Sequence, residues 1–159
     1  KPTLATDKST VLETVINIVV AQKKQDFDII GLFLPTAPFR TQVDVMEAMS
    51  MLEADPDLDG VISTTDYEFP PTLGLVTDPD GLVHCSDASL PFITGNTRSQ
   101  DHSSVIRPNG AIYLRRTKSF IRDRNFFKGR VGHYHMSRED SVDIDTLLDF
   151  QIAELILNG

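Results

Sequence analysis

The residues best suited to chemistry lie near the end of the chain, in the run SVDIDTLLDF. Asp143 and Asp145 stand two positions apart. On a strand, positions i and i+2 share a face. With Ile144 turned inward, both carboxylates face one cleft. Hard oxygen ligands at a strand end suit Mg²⁺, which takes one or two carboxylates and completes its shell with water and phosphate. A cation held there neutralises a polyphosphate during a phosphoryl-type transfer. The pair alone leaves a second reading open, in which Asp145 caps the following helix and Asp143 is merely solvated.

Two further clusters accompany it. Arg107-Pro108-Asn109-Gly110-Ala111-Ile112-Tyr113 joins a guanidinium, which forks onto carboxylate or phosphate, to an Asn-Gly pair that allows a tight turn before a strand. Arg98 and Gln100 lie just upstream and can join the same anion site. Leu34-Pro35-Thr36-Ala37-Pro38-Phe39-Arg40 follows an apolar run, and ligands of open α/β sheets bind beyond the carboxyl ends of strands. Each cluster also has a plainer reading: a surface arginine with an ordinary turn, and a stiff proline connector. His133 and His135 share a strand face but have no third ligand at suitable spacing, so a half-exposed strand is preferred over zinc. Cys85, the only cysteine, reads as a small filler thiol.

The elements that must position these residues are legible in outline. Val11, Leu12, Val15, Ile16 and Val19 recur at helical spacing after two candidate caps, Ser9 and Thr10. Residues 28–34 read as a strand buried on both faces, as in a parallel sheet. A helix with Val43, Met46, Met49 and Leu52 on one face ends near Asp55-Pro56, and residues 60–65 form the next strand. Strand, helix and strand with short links indicate an α/β layer fold. Residues 66–107 break the pattern, with a stiff Phe69-Pro70-Pro71 turn, a hairpin around Asp78-Pro79-Asp80-Gly81 and then a polar, irregular stretch. A loop of that length is functional or part of an interface. Regular structure resumes with a strand at 110–114, a short helix at 117–122 and a strand at 132–136. A short strand at 142–144 then leads into a helix over 146–157 with Leu147, Phe150, Ile152, Leu155 and Ile156 on its apolar face.

A chain of 159 residues suffices for one domain with its own core. The net charge of −8 argues against a nonspecific nucleic-acid binder, although a local basic cluster or a metal can still hold a nucleotide. No stretch approaches the roughly 20 apolar residues of a membrane span, and a single cysteine excludes an intrachain disulfide framework. A cytoplasmic protein is the expectation.

Taken in order, the clusters resemble the acylneuraminate cytidylyltransferase family, the CMP–sialic acid synthetases and their relatives for other sugar acids. The family's Gln-Pro-Thr-Ser-Pro-Leu-Arg loop corresponds to Leu34 through Arg40. Its Arg-Arg-Gln-Asp segment corresponds to Arg98-Ser99-Gln100-Asp101, its Arg-x-Asn-Gly-Ala-Ile-Tyr to Arg107 through Tyr113, and its Ser-x-Asp-Ile-Asp-x-x-x-Asp to Ser141 through Asp149. The resemblance implies a three-layer, Rossmann-like mixed sheet of the nucleotide-diphospho-sugar transferase type. It implies a single cytidylyltransferase domain over 1–159, representing the C-terminal portion of such a protein, with 66–107 as an inserted dimerisation arm and substrate loop. The implied reaction joins CTP and a 2-keto-3-deoxy sugar acid to give a CMP-sugar and pyrophosphate. Asp143 and Asp145 would hold Mg²⁺, with Mn²⁺ as the alternative, and Arg107 would face the sugar acid. Thr36, Arg98, Gln100, Asn109, Tyr113, Phe126 and Phe127 would contact the substrate, while Asp7, Ser9 and Thr10 would contact the nucleotide. A homodimer is implied as well.

The chain departs from the pattern in three places. The family's Arg-x-Gly-Ser-Lys-Gly phosphate loop is absent, so this stretch alone is expected to bind CTP poorly, and a longer parent chain is expected. The loop glutamine is Leu34 and the following serine is Ala37, and a family lysine aligns with Leu73. A less polar sugar pocket follows, suited to a deoxygenated or bis-acylamino nonulosonic acid. The rival expectations are a DxD-type glycosyltransferase and a non-catalytic dimerisation module.

Overall fold

The computed structural model describes residues 10–21 and 27–159. Asp7 and Ser9, expected at the nucleotide, lie outside them. The chain divides into two compact units, Lys1–Thr64 with Pro108–Gly159, and Thr65–Arg107.

The first unit is built on a four-stranded sheet in the order β1-β5-β2-β6 (Ile29–Leu32, Ile106–Arg116, Gly60–Asp66 and Val131–His135). β1 runs antiparallel to β5, with Leu32 opposite Tyr113. β2 runs parallel to β6, with Ser63 opposite Tyr134. Between β5 and β2, the Arg116 amide donates to the Asp59 carbonyl at one end and the Ile112 amide meets the Ser63 hydroxyl at the other, so these strands are antiparallel. The sheet is therefore mixed, as expected.

Helices cover both faces of the sheet. On one, Ala48 and Leu52 of α2 (Gln42–Ala54) pack with Val61, Ala111, Ile112, Leu114 and Met136. On the other, Val19 of α1 (Val11–Ala21) and Phe120 of α4 (Thr117–Asp123) pack with Ile30 and Phe126. Successive residues of β1 serve the two layers, Ile29 joining the first cluster and Ile30 the second. Thr10 caps α1: its hydroxyl accepts from the Glu13 amide at 3.1 Å, and the Glu13 carboxylate accepts from the Thr10 amide at 2.9 Å.

Several expectations are corrected. β1 pairs antiparallel, lies at an edge among the described strands, and is fully buried only at Ile30. A short apolar run fixes the strand but not its neighbours. The packed face of α2 is Val45, Ala48, Met49 and Leu52, while Val43 and Met46 are exposed. Both stripes have helical spacing, and the small Ala48 is what lets the helix approach the sheet. Residues 142–144 form no strand; a 3₁₀ turn at Glu139–Ser141 precedes them. The last helix, α5 (Leu147–Asn158), buries only Ala153, leaving Leu147, Phe150, Ile152, Leu155 and Ile156 exposed among the described residues. The Asn-Gly pair lies inside β5 rather than ahead of it, with Gly110 at φ +79°.

The second unit contains the expected hairpin, β3 (Leu75–Thr77) antiparallel to β4 (Val83–Cys85). Asp78 closes its turn by accepting from the amides of Asp80 and Leu82. The stretch beyond is less irregular than expected. It holds a short helix, α3 (Pro91–Thr94), and a 3₁₀ turn at Ser99–Asp101.

Candidate functional site

In the first unit, β1 ends in the loop bearing Leu34 and Thr36. Arg40 clips this loop to β5: its guanidinium donates to the carbonyls of Ala111 at 2.8 Å and Leu34 at 3.4 Å, and stacks 5.0 Å from the Phe33 ring. The Leu34 amide donates to the Gly110 carbonyl. Thr36 contributes its carbonyl, which accepts from the Ile144 amide at 2.8 Å. This bond draws the segment carrying Asp143 against the loop.

Gly110 lies beneath both. A Cβ added there would stand 3.3 Å from Leu34 Cδ1 and 4.0 Å from Asp143 Oδ2. The positive φ and this close approach together call for glycine. Asp143 is half-buried, and its Oδ1 is fully enclosed without a hydrogen-bond partner. Asp145 is exposed, and its amide donates to Asp149. With no strand at 142–144, the argument that alternate residues share a face does not apply. Asp145 does not cap α5 either. Thr146 does so, in a capping box with Asp149.

Tyr113 lies near Asp143. Burial first, and then the Asp143 charge, push its phenol above the ordinary value, so it keeps its proton. Its ring meets Phe126 at 5.8 Å and Phe127 edge-on at 6.0 Å. The two phenylalanines differ. Phe126 is a core residue packed on Phe120, whereas Phe127 is exposed beside Tyr113.

Asn109 is 1% exposed, and all its polar groups are bonded within the protein, to Ser63, Ala111, Ser141 and Met136. Its side chain is therefore held by internal partners on both sides. Ser63, Ser141 and Arg40 were not singled out from residue chemistry, although Arg40 and Ser141 bound the motifs that carry the resemblance. In the second unit, Arg107 is half-buried on β5, while Arg98 and Gln100 are exposed around the Ser99–Asp101 turn. Gln100 lines a polar hollow of about 290 Å³ with Tyr67, Glu68 and His102.

The Asp143 carboxylate, with one oxygen enclosed and unpaired, is a hard oxygen donor of the kind Mg²⁺ takes, and Asp145 lies exposed two residues on. Among the described residues, no three histidine, cysteine, aspartate or glutamate side chains gather as a metal cluster. A cation of the Mg²⁺ kind takes few protein ligands and completes its shell from water and phosphate. No described helix is long and apolar enough to cross a membrane.

Comparison with known proteins bears out the family resemblance. No protein-family model matches the chain. An N-acylneuraminate cytidylyltransferase of Streptococcus agalactiae is 30% identical over 151 residues, covering 94% of this chain and 35% of that protein. One from Escherichia coli is 27% identical over 150 residues, covering 94% of this chain and 34% of that protein. A CMP-N,N'-diacetyllegionaminic acid synthase of Legionella pneumophila is 25% identical over 158 residues, 97% of this chain and 65% of that protein. The chain thus spans about a third of the length of the first two relatives. Among solved structures, a 4-diphosphocytidyl-2C-methyl-D-erythritol synthase from Anaerococcus prevotii superposes with a TM-score of 0.62 at 15% identity, over 96% of this chain and 68% of that one. At that identity the likeness concerns the fold alone.

Proposed function

We propose that this chain, a homologue of the N-acylneuraminate cytidylyltransferases, carries the sugar-acid and metal half of an enzyme that transfers CMP from CTP to a 2-keto-3-deoxy sugar acid. The anomeric hydroxyl of the acid attacks the α-phosphorus of CTP and loses its proton. The bond to the bridging oxygen breaks, and pyrophosphate leaves with the electron pair. The observation that carries the reading is the unpaired, enclosed Oδ1 of Asp143, within the motif shared with the family and beside Gly110 and Leu34.

Asp143 and Asp145 would hold Mg²⁺ or Mn²⁺, which supplies charge neutralisation for the phosphates. The chain's own residues bind and orient. Tyr113 keeps its proton and presents a hydroxyl donor, and its ring and Phe127 offer an apolar wall to an acyl group. Leu34 makes the floor beside Gly110 apolar where a glutamine would offer an amide. This favours a nonulosonic acid with fewer hydroxyls or two acylamino groups, and the legionaminic acid relative is compatible with that choice. Arg107 is assigned to the substrate carboxylate, Arg98, Gln100 and the Thr36 loop to further sugar contacts, and Asp7, Ser9 and Thr10 to the nucleotide. Thr10 uses its hydroxyl to cap α1, which leaves its side chain less free for that role. Residues 66–107 are assigned to a dimerisation arm of a homodimer. The relatives named above favour this reading over a glycosyltransferase.

The test is pyrophosphate release from CTP by the full-length protein and its Asp145→Asn variant. The variant should lose at least about 100-fold in turnover, as expected on removal of a metal-ligating carboxylate, with its circular dichroism unchanged. An active variant would overturn the assignment.

A further inference from the structure

Three side chains buried beneath the site have no role in it so far. Ser63, Asn109 and Ser141 are 0%, 1% and 2% exposed. The Ser63 hydroxyl donates to Asn109 Oδ1 at 2.5 Å and accepts from the Ile112 amide at 2.7 Å. Asn109 Oδ1 also accepts from the Ala111 amide at 3.2 Å. On its other side, Asn109 Nδ2 donates to Ser141 Oγ at 2.8 Å and to Met136 Sδ at 3.2 Å. Every donor and acceptor of this amide is engaged. An aspartate could not donate to Ser141, and an apolar residue could do neither.

The relay ends two residues before Asp143. One residue after Asp143, the Ile144 amide donates to the Thr36 carbonyl. Asp143 thus sits between two anchors, in a segment without strand pairing of its own. Its enclosed Oδ1 has no partner, so hydration would draw the carboxylate outward. Something must hold the segment in, and these bonds are placed to do so.

We propose that Ser63, Asn109 and Ser141 are positioning residues that hold the 141–144 segment so that Asp143 presents its carboxylate inward. The inference rests on the metal reading of Asp143 for its consequence but not for the anchoring itself. Asn109 then acts through Ser141 and touches no substrate.

The test measures amide hydrogen exchange and Mn²⁺ binding in the presence of CTP, on the full-length chain and on Ser141→Ala and Ser141→Thr. Loss of the hydroxyl should speed exchange at Ile144 by about tenfold, as for a lost bond of ordinary strength, and leave Val61 in β2 unchanged. It should weaken Mn²⁺ binding by about tenfold, with turnover recovering at high Mg²⁺. Ser141→Thr keeps the hydroxyl and should stay near wild type in both readouts. Where Ser141→Ala does not fold, Ser141→Cys substitutes a weaker hydrogen-bonding group of similar size. Unchanged exchange at Ile144 overturns the proposal whatever the metal does. Faster exchange with unchanged Mn²⁺ affinity also overturns it, because the segment would then not position the carboxylate. If the wild type itself holds no Mn²⁺ with CTP, the metal reading falls, while faster exchange in Ser141→Ala still upholds the anchoring.

Discussion

At the scale of residues, the informative quantity is the cost of leaving a buried polar atom unbonded, about 1–3 kcal/mol. Asp143 bears that cost at Oδ1, whereas the side chain of Asn109 on β5 leaves nothing unbonded. Both belong to motifs visible in the sequence, and their residue types do not reveal which one faces a ligand. Asp143 also acts on Tyr113, whose phenol it helps to keep protonated. Replacing Asp143 with Asn removes the negative charge, so the Tyr113 pKa should fall toward its ordinary value of about 10. Burial holds it part of the way up. Ultraviolet titration of the phenol checks this, and an unmoved titration would show that the Asp143 charge does not reach the ring.

At the scale of elements, most helices and strands were legible from periodicity, because covered faces leave a repeat in the sequence. What failed has identifiable causes. On α2 the apolar stripe through Val43 and Met46 competed with the one through Val45, Ala48 and Leu52, and only close packing against the sheet chooses between them. Residues 142–144 look like a strand by composition but are tied by the Ser141 side chain and one amide of Ile144 instead. The start of α2 is fixed locally: the Thr41 hydroxyl accepts from the Asp44 amide, and the Asp44 carboxylate accepts from the Thr41 amide. Thr41→Ala should therefore cost about 1 kcal/mol of stability. Urea unfolding should show a lowered midpoint with unchanged slope, and no change in midpoint would mean that the cap contributes nothing.

At the scale of the whole molecule, the α/β class was legible while the order of the strands was not. Strand order depends on which edges meet, and β5 inserts antiparallel between β1 and β2 through pairings distant in sequence. One carboxylate illustrates how such distant pieces are joined. Asp59 accepts from the Ser119 hydroxyl at 2.6 Å, the Arg130 amide at 2.9 Å and the Arg122 guanidinium at 3.0 Å. The Ser119 hydroxyl, then the Arg130 amide, hold its carboxyl well below the usual range. A depressed folded pKa stabilises above the unfolded value, and that contribution is lost as pH falls below about 4. Asp59→Asn should lower the melting temperature at neutral pH and flatten its decline below about pH 4. An acid profile parallel to wild type would contradict this.

The central claim is the transfer of CMP to a sugar acid with a less polar face. It is tested most directly by measuring CMP-sugar formation from CTP and Mg²⁺ by the full-length protein across a panel of 2-keto-3-deoxy sugar acids. The account predicts turnover of nonulosonic acids, with a diacylamino or deoxygenated acid preferred over N-acetylneuraminate, and a preference shifted toward N-acetylneuraminate in Leu34→Gln. Consumption of CTP with none of these acids would contradict the claim, and a clear preference of the wild type for N-acetylneuraminate would contradict the role given to Leu34.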